Sequence, residues 1–151
     1  MKDLIIKNIA DIQGEPTNYG EGNAWTLKPV VSWADADKCI ASFVEIPPKS
    51  YSYGYHYHDN NEEIFYIISG TGSLRTYQGD KPVKAGDMLC FPTGEKGGHV
   101  LTNVSDTDPL VYIDFSTRSG AIEIATLPDE GKYILLGEHL PMTFVDIPKK
   151  D

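Results

Sequence analysis

Three of the chain's four histidines fall in one constellation: His56 and His58 stand two residues apart, Glu63 follows closely, and His99 lies further along. In an extended strand, side chains at i and i+2 leave the same face, about 6.5–7 Å apart. Two imidazoles placed this way can converge on one metal ion, whereas a helix needs i, i+4 spacing for the same purpose. The spacing therefore predicts a β-scaffold that holds a metal. Three neutral nitrogens and one carboxylate suit Fe(II), Mn, Ni, Zn or Cu, and affinity order alone does not choose among them. Four protein ligands on an octahedral ion leave two positions open, and open positions separate a catalytic site from a closed structural one.

Such ligands need strands to carry them, and from about Lys38 the pattern is strand after strand. Cys39–Ile46 is apolar and stops at Pro47-Pro48. Tyr51–His58 alternates, and Glu63–Ile68 is a short β-rich run closed by Ser69-Gly70-Thr71-Gly72. Leu74–Tyr77 precedes a Gly79-Asp80 turn, Met88–Phe91 ends at Pro92, and Val100–Asn103 and Leu110–Phe115 complete the set. Short apolar runs punctuated by Gly and Pro at this density predict an all-β sandwich or barrel. The barrel is expected over about 38–118, flanked by an N-terminal arm (1–37) that includes edge strands and a C-terminal extension (119–151), all within one domain. The extension holds Tyr133-Ile134-Leu135-Leu136 and Met142-Thr143-Phe144-Val145, which read as added strands or as a surface for a partner subunit. Within Tyr51–His58, alternation puts Ser52, Gly54, His56 and His58 on one face and Tyr51, Tyr53, Tyr55 and Tyr57 on the other. An outward tyrosine stripe would pack on the arm or on a second subunit.

At 151 residues and 40% hydrophobic, the chain can bury a proper core. Its net charge of −9 argues against nucleic acid or an anionic membrane as the main partner. It does not exclude a small anionic ligand, because local charge decides that. The N-terminal Met1–Asn8 segment has only a three-residue apolar run, far short of a signal-peptide core, and no apolar stretch reaches transmembrane length. Cys39 and Cys90 form no CxxC pair and read as reduced, buried thiols of a cytoplasmic protein.

The same residues resemble the cupin superfamily. Its first motif is matched by His56, His58, Glu63 and Gly70, and its second by Gly86, Pro92, Gly94, His99 and Asn103. The short stretch between the motifs, Thr71 to Ala85, looks like the compact microbial form. The gap between Gly94 and His99, Glu95-Lys96-Gly97-Gly98, is longer than the usual motif. The run Phe91–His99, with Asn103-Val104-Ser105-Asp106, Ser116-Thr117-Arg118 and Leu127-Pro128-Asp129-Glu130-Gly131-Lys132, resembles one branch of bacterial single-domain cupins in which that longer loop is normal. Some members of the branch are labelled sugar-phosphate isomerase-like. The resemblance spans roughly residues 38–132. It implies a double-stranded β-helix, a homodimer, and one divalent transition metal (Fe, Mn, Ni or Zn) on His56, His58, Glu63 and His99. Glu63 takes the carboxylate role over Glu62, both by the motif gap to Gly70 and by the period-two alternation of the strand.

Phe65 and Ile67 should share the inward face of Glu63 and give the pocket an apolar wall, which excludes water. Arg75 and Tyr77, read as sharing a strand face, are substrate-pocket candidates, since an arginine can hold a carboxylate or phosphate. The alternative for Arg75 is a solvated residue paired with an acidic neighbour. No acid–base residue declares itself; Tyr66, Tyr77, Tyr112 and Asp114 are the candidates. Two chemistries fit a small oxygenated or anionic metabolite: metal-assisted isomerase, epimerase or lyase activity, or an oxygen-dependent dioxygenase. The alternative is a module that binds or senses a small ligand without turnover.

Overall fold

The computed structural model describes residues 2–118 and 122–148 and is built from strands. The described residues form β1 (Glu15–Gly20), β2 (Asn23–Val31), β3 (Cys39–Ile46), β4 (Tyr57–His58), β5 (Glu63–Ser69), β6 (Thr71–Thr76) and β7 (Gly79–Lys84). They continue with β8 (Met88–Phe91), β9 (His99–Asn103), β10 (Leu110–Thr117), β11 (Ile122–Leu127), β12 (Lys132–Gly137) and β13 (Leu140–Asp146). One short 3-10 turn, Ile9–Asp11, precedes β1, and another, Glu95–Gly97, lies between β8 and β9.

The strands make three antiparallel sheets, ordered β1-β2-β3-β10-β5-β8, β13-β12-β11-β4 and β7-β6-β9. The first and third pack face to face. Their inward residues, Val44, Ile46, Phe65, Ile67, Leu110 and Tyr112 from one and Leu74, Val83 and Leu101 from the other, form one apolar cluster. This is the all-β double-stranded β-helix that the resemblance implied. β5 shows why the pattern was readable: Glu63, Phe65 and Ile67 are buried while Ile64, Tyr66 and Ile68 face out, a strict period of two. Asn103, the last residue of the second motif, is a structural clamp rather than a ligand. Its Nδ2 donates to the carbonyls of Ile46 and Asp108, each at 2.9 Å.

The N-terminal and C-terminal segments supply strands, in keeping with the edge strands and added strands read there. β2 pairs with β3 and buries Trp25 in the core, and β11 pairs with β4. The beginning and end of the extension, 119–121 and 149–151, lie outside the described residues. The remaining expectations need correction. The Gly79-Asp80 turn is instead the start of β7, whose charged residues and Pro82 hide an edge strand. Tyr51–His58 is not one strand: only Tyr57–His58 is extended ladder, and the rest holds isolated bridges. Tyr53 and Gly54 have positive φ (65° and 94°). The resulting twist carries the Tyr53 ring inward onto Trp25 (4.7 Å) and towards His56 (6.0 Å), so the tyrosines do not form one outward stripe. The cysteines are free but not buried: Cys39 is half-buried and Cys90 is exposed on the outer face of β8.

Candidate metal centre

The two motif segments meet through one backbone pair. His56 and His99 sit opposite each other, each amide donating to the other's carbonyl at 3.0 and 2.9 Å. Their rings lie 4.6 Å apart, and His58, two residues on from His56, brings its ring to 5.2 Å from that of His56. Glu63 enters from β5 on the neighbouring sheet. Its Oε2 is 3.8 Å from His56 Nε2, 3.3 Å from His58 Nε2 and 3.5 Å from His99 Nε2. His56, His58 and Glu63 make the tightest group, with ligand atoms all within 4.8 Å of one another. His99 lies outside that group and meets it through Glu63, at 3.5 Å.

The orientation of His56, His99 and Glu63 is fixed from behind by hydrogen bonds. His56 Nδ1 is 2.9 Å from the Gly54 carbonyl and His99 Nδ1 is 2.8 Å from the Gly97 carbonyl. Each Nδ1–H therefore donates to a backbone oxygen, which leaves the Nε2 lone pair facing inward. Gly97 must be glycine: a Cβ there would lie 1.8 Å from the Pro92 carbonyl oxygen. The extra loop residues thus fold into the Glu95–Gly97 turn that aims His99. Ser116, opposite Glu63 on β10, donates its hydroxyl to Glu63 Oε1 at 3.1 Å. That leaves Oε2, like His99 Nε2, buried and without a hydrogen bond among the described residues. Buried polar atoms are rarely left so. Donor atoms collected around one point in this way fit a cation.

The charges of these groups follow from the same contacts. Burial lowers the pKa of His58, but the carboxylates of Glu63 and Glu123 on either side of it prevail and lift it to about 10. Burial and the neighbouring His56 push His99 down to about 3. Glu63 resists burial and is held well below the usual carboxylate range, chiefly by His58. Asp114 faces inward on β10 beside Ser116, whose hydroxyl lies 3.3 Å from its Oδ1. Burial, then the charge of Glu63, pushes Asp114 well above the usual carboxylate range.

Phe65 and Ile67 stand buried on the inward face of β5, with the Phe65 ring 5.2 Å from that of His99 and 4.6 Å from that of Tyr112. The Phe91 ring stacks on His99 at 3.6 Å. Arg75 and Tyr77 are not on this wall. β6 turns Gly72 and Leu74 inward, so Arg75 faces out, where it pairs with Asp129 and covers the Tyr55 ring at 4.3 Å. Tyr77 follows the end of the strand and is half exposed, beside a cavity of about 240 Å³ that it shares with Leu89, Lys81 and Lys96. Tyr66 is exposed on the outer face of β5, and the Tyr112 hydroxyl is closed off by Ser52 Oγ at 3.0 Å. Sequence reasoning did not single out Glu123, 3% exposed on β11, or Ser116. The available signal was a lone acid inside the apolar run Ile122-Glu123-Ile124-Ala125.

The chain is similar to known proteins in sequence and in fold. Residues 42–116 match the family described as Cupin domain. An oxalate-binding protein of Thermotoga maritima is 38% identical over 65 residues, which is 43% of this chain and 51% of that protein, so the match spans about half the length of the curated relative. The solved structure of a sugar phosphate isomerase from a cupin superfamily, from Silicibacter pomeroyi, superposes with a TM-score of 0.79 at 21% identity, covering 92% of this chain and 90% of that one. A predicted oxalate decarboxylase of Thermotoga maritima superposes with a TM-score of 0.66 at 26% identity, covering 75% of this chain and 98% of that one.

Proposed function

We propose that this chain, which belongs to the cupin superfamily, holds one divalent transition metal on His56, His58, Glu63 and His99 and uses it to bind a small oxygenated or anionic metabolite. The observation that carries the reading is the convergence of three Nε2 atoms within 3.8 Å of Glu63 Oε2. A bound divalent ion supplies a Lewis acid with open positions for a bidentate oxygen ligand such as a carboxylate, hydroxy acid or diol. The protein supplies the rest. Phe65 and Phe91 keep water from the ligand side of His99, and Asp114 is the inward group placed to move a proton.

Small dicarboxylates are the first substrate class to try, because the curated relative is an oxalate-binding protein and a structural relative is a predicted oxalate decarboxylase. Sugar phosphates come second. The chemistry is isomerase, epimerase or lyase chemistry with zinc, manganese or nickel, and oxygen-dependent chemistry with iron. The relative named for binding favours a second reading, a ligand-holding module without turnover. Saturable binding with no product under any metal or oxygen condition identifies that case.

The chain is also proposed to act as a homodimer through the outer face of the six-stranded sheet. There Ile64, Tyr66, Ile68, Met88 and Phe115 are exposed together. Two free cysteines favour a reducing, cytoplasmic setting. The deciding experiment is elemental analysis of untagged protein beside His58→Ala. Near one equivalent of metal in the wild type, lost in the variant, is expected. No metal in either protein after reconstitution overturns the reading.

A further inference from the structure

One buried carboxylate reaches the site from outside the segment that carries the ligands. β11 pairs with β4 so that Ala125 opposes His58 and Thr126 opposes Tyr57. Glu123, two residues before Ala125, leaves the same face of β11 and is buried to 3% exposure. Its Oε1 accepts the Asn60 amide at 3.2 Å and lies 3.3 Å from His58 Nδ1, an ion-pair contact outside hydrogen-bond geometry that leaves His58 Nδ1 buried with no hydrogen bond among the described residues. Its Oε2 has no hydrogen bond among the described residues. A carboxylate taken out of water is costly unless a charge or donors meet it. A side-chain group that meets this one is the imidazole of His58, whose Nδ1 lies 3.3 Å away.

We propose that Glu123 is a positioning residue of the metal centre: it takes the Nδ1–H of His58 and so turns the Nε2 of that ring towards Glu63. The inference rests on reading the four residues as a metal site. His56 and His99 are aimed by the Gly54 and Gly97 carbonyls, which are neutral dipoles. His58 is aimed by a full negative charge, and a carboxylate behind a ligating imidazole fixes its tautomer and raises its basicity. His58 is then the strongest nitrogen donor of the set, and the C-terminal sheet is part of the site.

The test uses the full chain with zinc as the probe. Zinc affinity is measured by chelator competition for wild type, Glu123→Ala and Glu123→Gln, and the zinc-loaded proteins are compared by imidazole NMR. Glu123→Ala should weaken zinc binding by about 10–100-fold. It should also remove the hydrogen-bonded Nδ1–H signal of His58 while those of His56 and His99 persist. Glu123→Gln keeps an acceptor without the charge, so it should retain the His58 signal and fall between the two in affinity. If Glu123→Ala does not fold, Glu123→Gln carries the test, and wild-type affinity in it overturns the proposal. Unchanged affinity in Glu123→Ala, or loss of all three signals together, also overturns it. Failure of the wild type to bind zinc, manganese or iron sinks the metal reading itself, an outcome distinct from a wild type that binds and a Glu123 variant that matches it.

Discussion

Three imidazoles face one carboxylate oxygen, yet they are aimed in two different ways. His56 and His99 each lean on the carbonyl of a glycine two residues earlier, Gly54 and Gly97. His58 lies between two buried carboxylates, Glu63 from β5 and Glu123 from the separate sheet of β11. The first arrangement is wired within a few residues of chain. The second exists only once distant strands have paired. Local wiring sets direction with neutral dipoles, while long-range wiring adds charge, so the two kinds of support should fail differently.

The largest contrast comes from the ligands themselves. His58→Ala or Glu63→Gln should abolish stoichiometric metal binding in equilibrium dialysis, because His58 faces both carboxylates and Glu63 faces all three rings. Retention of a full equivalent in both variants would remove the centre from this place. Next is a break in the local wiring. In Gly97→Ala the new Cβ would sit 1.8 Å from the Pro92 carbonyl oxygen, so the backbone must move. A loss of about 3 kcal/mol in denaturant unfolding is expected, along with weakened metal binding as His99 swings off line. A Gly97→Ala protein with unchanged stability and affinity would mean that this carbonyl aims nothing.

A smaller effect sharpens the comparison through charge. In metal-free protein, His58 should titrate near 10 and His99 near 3, followed by histidine NMR. The signs are opposite. His58, raised by its carboxylates, adds stability that is complete below the unfolded value of about 6.5 and is lost as pH rises through about 10. His99, held neutral by burial and by His56, adds stability that is present above about 6.5 and is lost as pH falls towards 3. If both titrate near 6.5, the two supports do not differ in charge. Smallest of all is Arg75→Ala. It removes an exposed pair with Asp129, so about 0–1 kcal/mol is expected in thermal unfolding, with metal affinity unchanged. A large loss of affinity would return Arg75 to the site.

What the sequence made legible follows the same division. The candidate ligands, the inward Phe65 and Ile67, and the strands β3, β5, β8 and β10 announce themselves through spacing, alternation and Pro or Gly stops. Those are properties of a short stretch of chain. Arg75 was ambiguous because alternation gives two faces without saying which is inside. The β6–β9 pairing, with Leu74 opposite Leu101, settles that. Tyr53 defeated the alternation because two consecutive positive φ angles reverse the face. Glu123 was hidden because its role depends on β11 finding β4, a pairing that no local pattern encodes.

The most direct measurement of the central claim is anomalous diffraction at the metal edge from crystals of protein loaded with zinc or manganese. The account predicts one strong peak per chain, bounded by the Nε2 atoms of His56, His58 and His99 and by a Glu63 carboxylate oxygen. A peak elsewhere, or one that excludes Glu63 or any of the three imidazoles, contradicts it.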